Sequence, residues 1–209
     1  IKKEISSPAL KNGFITFGSF NNLSKINDNV IGLWSKILKK IENSKLFLKA
    51  KQLDNLTIVE NIKEKFQKNG ISPEKIITEG QSQTREEMLK RYNQIDIALD
   101  PFPYSGITTS LEANWMGVPL LTKKGNNFYS RIGTSINKNL GMEDWIANNE
   151  KDYYIKILKL TSNFNQLSQT RKYLINKVND STLFNSYLFA NNFNKMLWKI
   201  WKKFTLKSD

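Results

Sequence analysis

The 209-residue sequence contains no cysteine and no histidine. The first absence excludes disulfides and thiolate chemistry, and the second removes the commonest general base and metal ligand. Any catalysis must therefore rest on carboxylates, lysine, hydroxyls or the backbone. No apolar run approaches the roughly 18 residues that suggest a membrane span, so no membrane partner is expected. No Asp-x-Asp pair occurs, which leaves a diphosphate-chelating Mg²⁺ without obvious ligands, and no metal is expected. Internal repeats and low-complexity tracts are absent, and the sequence opens on Ile1 with no Met-led apolar segment. The expectations are a cytoplasmic location and a piece cut from a longer protein.

What is present describes a folded chain. A hydrophobic content of 39%, with 11% aromatic residues, excludes disorder. A mass of 24.2 kDa allows one well-buried domain, or a domain with a helical appendage. Lys+Arg 32 against Asp+Glu 19 gives +13. The lysines are scattered along helical patterns among Asn and Ile rather than clustered, so they read as solvated faces and no nucleic-acid partner is expected.

Along the chain, β-type and helical patterns alternate. Phe14-Ile15-Thr16-Phe17 predicts a strand, Gly18 to Lys25 a loop, and Val30, Leu33, Trp34, Ile37, Leu38 and Ile41 a helix. A second strand follows at Lys45 to Ala50, then a helix from Ile58 to Lys68 closed by Asn69-Gly70. Ile76-Ile77-Thr78 is a third strand, and Thr84 to Glu87 is a capping-box pattern opening a helix with Met88, Leu89 and Tyr92. The nearly all-apolar Ile95 to Leu99 predicts a strand buried on both faces. Thr109 to Glu112 is a second capping-box match, before a helix from about Ser110 to Met116 and a strand over Gly117 to Thr122. A helix over Tyr129 to Lys138, a short strand at Trp145-Ile146, and helices at Glu150 to Ser162, Phe164 to Val178 and Asn185 to Phe204 complete the reading. The expected fold class is α/β, a Rossmann-like, mostly parallel sheet with helices on both faces and a helical C-terminal third. Residues 1–179 form the lobe. Residues 180–209 form a C-terminal helix that packs on it or makes an inter-lobe contact; its aromatic run, from Phe184 to Phe204, reads as packing rather than base stacking.

Ligands of open α/β sheets sit beyond the carboxyl ends of strands, where two loops qualify: Gly18 to Lys25 and Pro101 to Thr109. If their strands are neighbours, Lys25 reaches an anion held at the helix start near Thr109, where free N–H groups and the positive dipole end favour a diphosphate. Thr108, Thr109 and Ser110 serve as N-cap chemistry, as anion ligands, or as both. Glu112 is either the carboxylate of the capping box or an acceptor for ribose hydroxyls. Asp96 and Asp100 read as structural, with Asp100 beginning a turn.

The stretches Phe17-Gly18-Ser19-Phe20-Asn21-Asn22-Leu23-Ser24-Lys25-Ile26, Asp100-Pro101-Phe102-Pro103-Tyr104-Ser105-Gly106-Ile107-Thr108-Thr109, Glu112 to Pro119, and Ser130-Arg131-Ile132-Gly133 with Leu140-Gly141 together resemble the C-terminal catalytic lobe of glycosyltransferase family 41. That family is the O-GlcNAc transferase and SPINDLY group. The resemblance covers most of the chain and implies the C-terminal lobe of the two-lobed GT-B architecture. It implies an inverting, metal-independent transferase with UDP-GlcNAc as co-substrate, no other cofactor and a protein Ser/Thr acceptor. Its implied partners are the N-terminal lobe and tetratricopeptide repeats. Asn22 and Lys25 are implied to contact the diphosphate with Gly106, Thr108 and Thr109, Glu112 to bind ribose, and Arg85 and Arg91 to lie by the ribose and base. Lys25 is the implied catalytic residue. Histidines of the O-GlcNAc transferase pattern fall at Met88 and Ile107 here. A GT-B enzyme acting on a glycan or small molecule, a GDP-sugar user, and a non-catalytic nucleotide-binding module remain the alternatives.

Overall fold

The computed structural model describes residues 1–206. A short helix α1 (Ala9–Asn12), which no sequence pattern announced, precedes β1 (Ile15–Ser19). There follow α2 (Asp28–Lys40), β2 (Ser44–Lys49), α3 (Leu56–Lys68), β3 (Ile76–Glu79), α4 (Arg85–Arg91), β4 (Ile97–Leu99), α5 (Thr108–Trp115) and β5 (Leu120–Lys123). The chain continues through α6 (Ile132–Asn139), β6 (Ile146–Ala147), α7 (Glu150–Leu160), α8 (Phe164–Asp180) and α9 (Ser186–Thr205). Every pairing is parallel, and the strand order is β3-β2-β1-β4-β5-β6. The expected α/β class is met.

Alternation along the strands sorts side chains into two cores. Leu46, Leu48, Ile97, Leu99 and Leu121 join Phe17 and the α2 residues Trp34, Ile37 and Leu38 on one face. Phe47, Ala98 and Leu120 join Tyr92, Met116 and Val118 on the other. Strands covered on both sides need continuous apolar runs, which these short segments supply. Helix α2 shows how the sequence does it. Asn27 accepts a hydrogen bond from the Val30 amide (3.1 Å), apolar residues recur at three- and four-residue spacing, and Lys39 and Lys40 sit at the negative dipole end. Trp34, at 0% exposure, is the largest of its buried side chains, and truncating it to alanine would cost about 3–5 kcal/mol.

One expectation needs correction. The Thr109 to Glu112 capping box does not form: α5 begins at Thr108, follows Ile107, and has no side-chain cap. Both candidate cap groups are engaged elsewhere, as described below. The Thr84 to Glu87 box does form, with both reciprocal bonds. At the C-terminus, Leu183 and Phe184 pack against the core, but α9 itself contributes no buried residue. Trp198 and Trp201 are 65% and 58% exposed, so the aromatic face of α9 is not core within this lobe. Residues 207–209 of the expected C-terminal unit lie outside the described residues.

Candidate nucleotide-sugar site

Strand order reverses between β1 and β4, so the connections leaving their carboxyl ends part from one another and open a crevice. These are the two loops singled out from sequence. The β1 loop passes through Asn21 and Asn22 into a short 3₁₀ turn, Leu23–Lys25. The Lys25 Nζ donates to the Ser105 carbonyl of the other loop (2.9 Å) and lies 4.1 Å from the Tyr104 ring centre. Asn27 donates from Nδ2 to the Phe102 carbonyl (2.8 Å), and the Thr109 hydroxyl donates to Asn21 Oδ1 (3.0 Å). Lys25 therefore reaches the loop that leads into α5, across the β1–β4 pairing.

The mouth of α5 is shaped by Gly106. A β-carbon there would stand 2.4 Å from Ser110 Oγ, 2.8 Å from Thr109 Oγ1 and 2.9 Å from Asn21 Oδ1. Only glycine leaves this hollow open beside the first turn. Ser110 Oγ is buried without a hydrogen-bond partner, and no side chain caps the helix. An uncapped helix start presents N–H groups and positive potential to an anion. Tyr92, buried under the site, donates from its hydroxyl to the Thr109 carbonyl (3.1 Å) and packs its ring 4.4 Å from Phe20.

Electrostatics follow from burial. Desolvation lowers the Lys25 pKa, and the Asp100 charge partly restores it. Glu112 is 7% exposed and faces Arg85, whose Nη2 lies 2.9 Å from its Oε1. Burial raises the Glu112 pKa, and Arg85 opposes the rise. Asp100, at 0% exposure, accepts from the Gly106 amide (2.7 Å) and from Thr122 Oγ1 (2.6 Å).

Of the residues expected at the site, Lys25, Gly106 and Thr109 converge directly, with Thr108 exposed beside them at the first position of α5. Glu112 and Arg85 form an adjoining pair. Asn22 caps the 3₁₀ turn through the Ser24 amide (3.0 Å) and accepts from Gln52 (2.7 Å). Arg91 is drawn aside: its Nε donates to Glu79 (2.8 Å), which also accepts from the buried Lys49 (2.8 Å) at the ends of β2 and β3. Asn21, Tyr92 and Asp100 were not expected at the site. Asn21 was legible as half of an Asn-Asn pair, whereas the contribution of Tyr92 depends on a contact 17 residues away that no local pattern carries. Among the described residues no group of three or more His, Cys, Asp or Glu could hold a metal ion.

A family model described as Glycosyl transferase family 41 matches residues 6–193. The chain is 32% identical over 198 residues to the probable UDP-N-acetylglucosamine–peptide N-acetylglucosaminyltransferase SPINDLY of Solanum lycopersicum, spanning 95% of this chain and 21% of that relative. To the UDP-N-acetylglucosamine–peptide N-acetylglucosaminyltransferase of Caenorhabditis elegans it is 26% identical over 190 residues, 91% of this chain and 16% of that one. Among solved structures, a mutant O-GlcNAc transferase from Thermobaculum terrenum is similar at a TM-score of 0.89 and 30% identity, over 94% of this chain and 38% of that chain. The C-terminal domain of a glycosyl transferase group 1 family protein from Francisella tularensis, at 15% identity and a TM-score of 0.61 over 86% of this chain and 93% of that one, shares the fold.

Proposed function

Because the chain belongs to glycosyltransferase family 41, we propose that it is the nucleotide-sugar-binding lobe of an inverting, metal-independent transferase that moves GlcNAc from UDP-GlcNAc to protein Ser or Thr. The observation that carries this reading is the bond from Lys25 to the Ser105 carbonyl, which stations an ammonium group beside the uncapped start of α5. In this reading Lys25, the first-turn amides, Thr108 and Thr109 hold the diphosphate over the Gly106 hollow, with Asn22 at its edge. Glu112 accepts from the ribose hydroxyls, and Arg85 and Arg91 lie by the ribose and base. Breakage of the anomeric C–O bond delivers its electron pair to the diphosphate oxygen. The growing negative charge is met by fixed N–H dipoles and one lysine, so electrostatics carry the leaving-group step.

The chain spans about a fifth of the relatives' length, so the acceptor wall of the cleft, and any tetratricopeptide repeats, belong to parts of the protein outside it. Residues 1–179 are the lobe, and the helix within 180–209 crosses to the missing N-terminal lobe; its exposed Trp198, Ile200 and Trp201 support this arrangement over packing on the lobe. The proposed location is the cytoplasm; no described helix is long and apolar enough to cross a membrane. Calorimetry with UDP, UDP-GlcNAc, GDP and GDP-fucose tests the reading. Binding of the uridine pair is expected. A preference for guanosine, with Met88 and Ile107 in place of histidines, redirects it to a GDP-sugar donor, and absence of all binding overturns it.

A further inference from the structure

Asp100 is a carboxylate fully buried at the end of β4, beneath the open face of the site. Its Oδ1 accepts from the Gly106 N–H at 2.7 Å, and the carbonyl of the same peptide unit, Ser105 O, accepts from Lys25 Nζ at 2.9 Å. One planar peptide thus joins a carboxylate on one side to an ammonium on the other. The other carboxylate oxygen, Oδ2, accepts from Thr122 Oγ1 at 2.6 Å. Helix α6 closes over that pair so tightly that a β-carbon on Gly133 would stand 2.4 Å from Oδ2 and 2.3 Å from Thr122 Oγ1. The groups facing Asp100 are Lys25 from the β1 loop, Thr122 on β5, Tyr153 on α7, and Ser105 in its own loop.

We propose that the Asp100 carboxylate takes up one proton when the diphosphate of a nucleotide-sugar draws Lys25 away from the Ser105 carbonyl. The inference rests on the donor-binding reading above. In the resting lobe the carboxylate polarises the Ser105–Gly106 peptide, and the ammonium on its far side compensates the charge. A bound diphosphate removes that compensation and brings negative charge to the same loop, and both changes favour the protonated acid. Burial already pushes the Asp100 pKa up to about 6, against the opposing pull of Thr122, Gly106, Lys25 and the Ser105 side chain. The proton has a defined place: it comes from solvent to Oδ2, where the Thr122 hydroxyl turns from donor to acceptor. Gly106 N–H keeps its bond to Oδ1 throughout, so the loop holds its shape.

Linkage fixes the sign. The bound state holds the proton more tightly than the free state, so affinity is highest at low pH. It falls as pH rises from about 6, tenfold for each unit by which the bound pKa exceeds the free one, and levels off above the bound value. The Asp100→Asn variant keeps an acceptor for the Gly106 N–H and a donor for Thr122, and mimics the protonated acid.

The test is calorimetric titration of the full-length polypeptide with UDP-GlcNAc at pH 7, in two buffers of different ionisation enthalpy. The nucleotide-sugar diphosphate does not itself titrate near neutrality. Glu112 is the competing proton acceptor in the site, and the variant separates the two. We expect the wild type to take up more protons per UDP-GlcNAc than Asp100→Asn, and the variant to bind more tightly than the wild type at pH 8. A second variant, Thr122→Val, removes a bond that favours the ionised form and is expected to move the window of uptake to higher pH. Equal proton counts in the wild type and Asp100→Asn, or an unmoved window in Thr122→Val, overturn the proposal while leaving the donor reading intact. A wild type that binds no UDP-GlcNAc at any pH overturns the UDP-GlcNAc reading, and the coupling with it.

Discussion

The chemistry proposed for this lobe concentrates on two residues of opposite charge, each costly to keep ionised where it stands. Lys25 is half-buried and less basic than a free lysine, a cost accepted to bring an ammonium to the mouth of α5. Its removal from the intact enzyme deletes a preorganised charge that acts as the diphosphate leaves, so Lys25→Ala is expected to lower kcat by about 10²–10³. Turnover at saturating donor is the measurement, and an unchanged kcat removes Lys25 from the leaving-group step. Asp100 imposes a cost on the fold itself. Its folded pKa, about 6, lies above the ordinary aspartate value of 3.8, so the folded state prefers the proton. That stabilising preference is fully present below 3.8 and is lost as pH rises through 6. The loss amounts to roughly 3 kcal/mol at pH 8. Asp100→Asn is therefore expected to raise Tm relative to wild type at pH 8, with the gain shrinking toward pH 4. A pH-independent difference would mean that the carboxylate is ionised without penalty.

At the scale of elements, what matters is how the first turn of α5 is left open. The residues that could have capped it are held by partners from other elements: Thr109 by Asn21, and Glu112 by Arg85. Gly106 then keeps the space beside that turn clear. In Gly106→Ala the new methyl meets three oxygen atoms that can swing aside only by giving up the Thr109–Asn21 bond. The expected outcome is at least a tenfold loss of UDP-GlcNAc affinity with a stability loss of about 1–3 kcal/mol. Calorimetry and denaturant titration on the same variant separate the two effects, and a loss of stability alone would remove the hollow from the site. The same turn marks where sequence reasoning stopped. Alternation of short apolar runs with amphipathic stretches was enough to read the parallel sheet, and Thr84 with Glu87 was a correct cap because both partners lie within one turn. The identical spacing at Thr109 and Glu112 gave the wrong local answer. Asn21 lies 88 residues away in sequence and competes for Thr109, and Arg85, 27 residues away, takes the Glu112 carboxylate as an ion pair. Helix α1 was missed for a related reason: its four residues are fixed by Asp96 accepting from the Ala9 amide (2.8 Å), a contact between distant segments.

For the whole molecule, the chain spans about a fifth of the relatives' length, and in the proposed reading it supplies the donor wall of the cleft while the acceptor wall lies outside it. Arg171 on α8 ties the lobe together, donating to the carbonyls of Glu4 (2.7 Å), Ile95 (2.8 Å) and Tyr92 (3.2 Å) from a fully buried position. These bonds need nothing outside the chain, so the lobe is expected to bind nucleotide alone. Sugar transfer is expected only from the longer polypeptide. Steady transfer by the isolated chain would place the acceptor site within it. Helix α9 supplies an independent check on how the two parts meet. It leaves the body through Thr182–Phe184, where the Phe184 ring packs 5.3 Å from Trp115, and from there Leu197, Trp198, Ile200 and Trp201 are exposed. A contiguous apolar face of this kind marks a contact surface, and left uncovered it drives association. Hydrogen exchange should therefore find α9 amides protected in the full-length protein and fast in the dilute isolated chain, and light scattering should find that chain self-associating as concentration rises. Fast exchange in both forms would mean that α9 is not the crossing element. The apolar face would then require some other partner, and the division of the chain near residue 180 would lose its structural meaning.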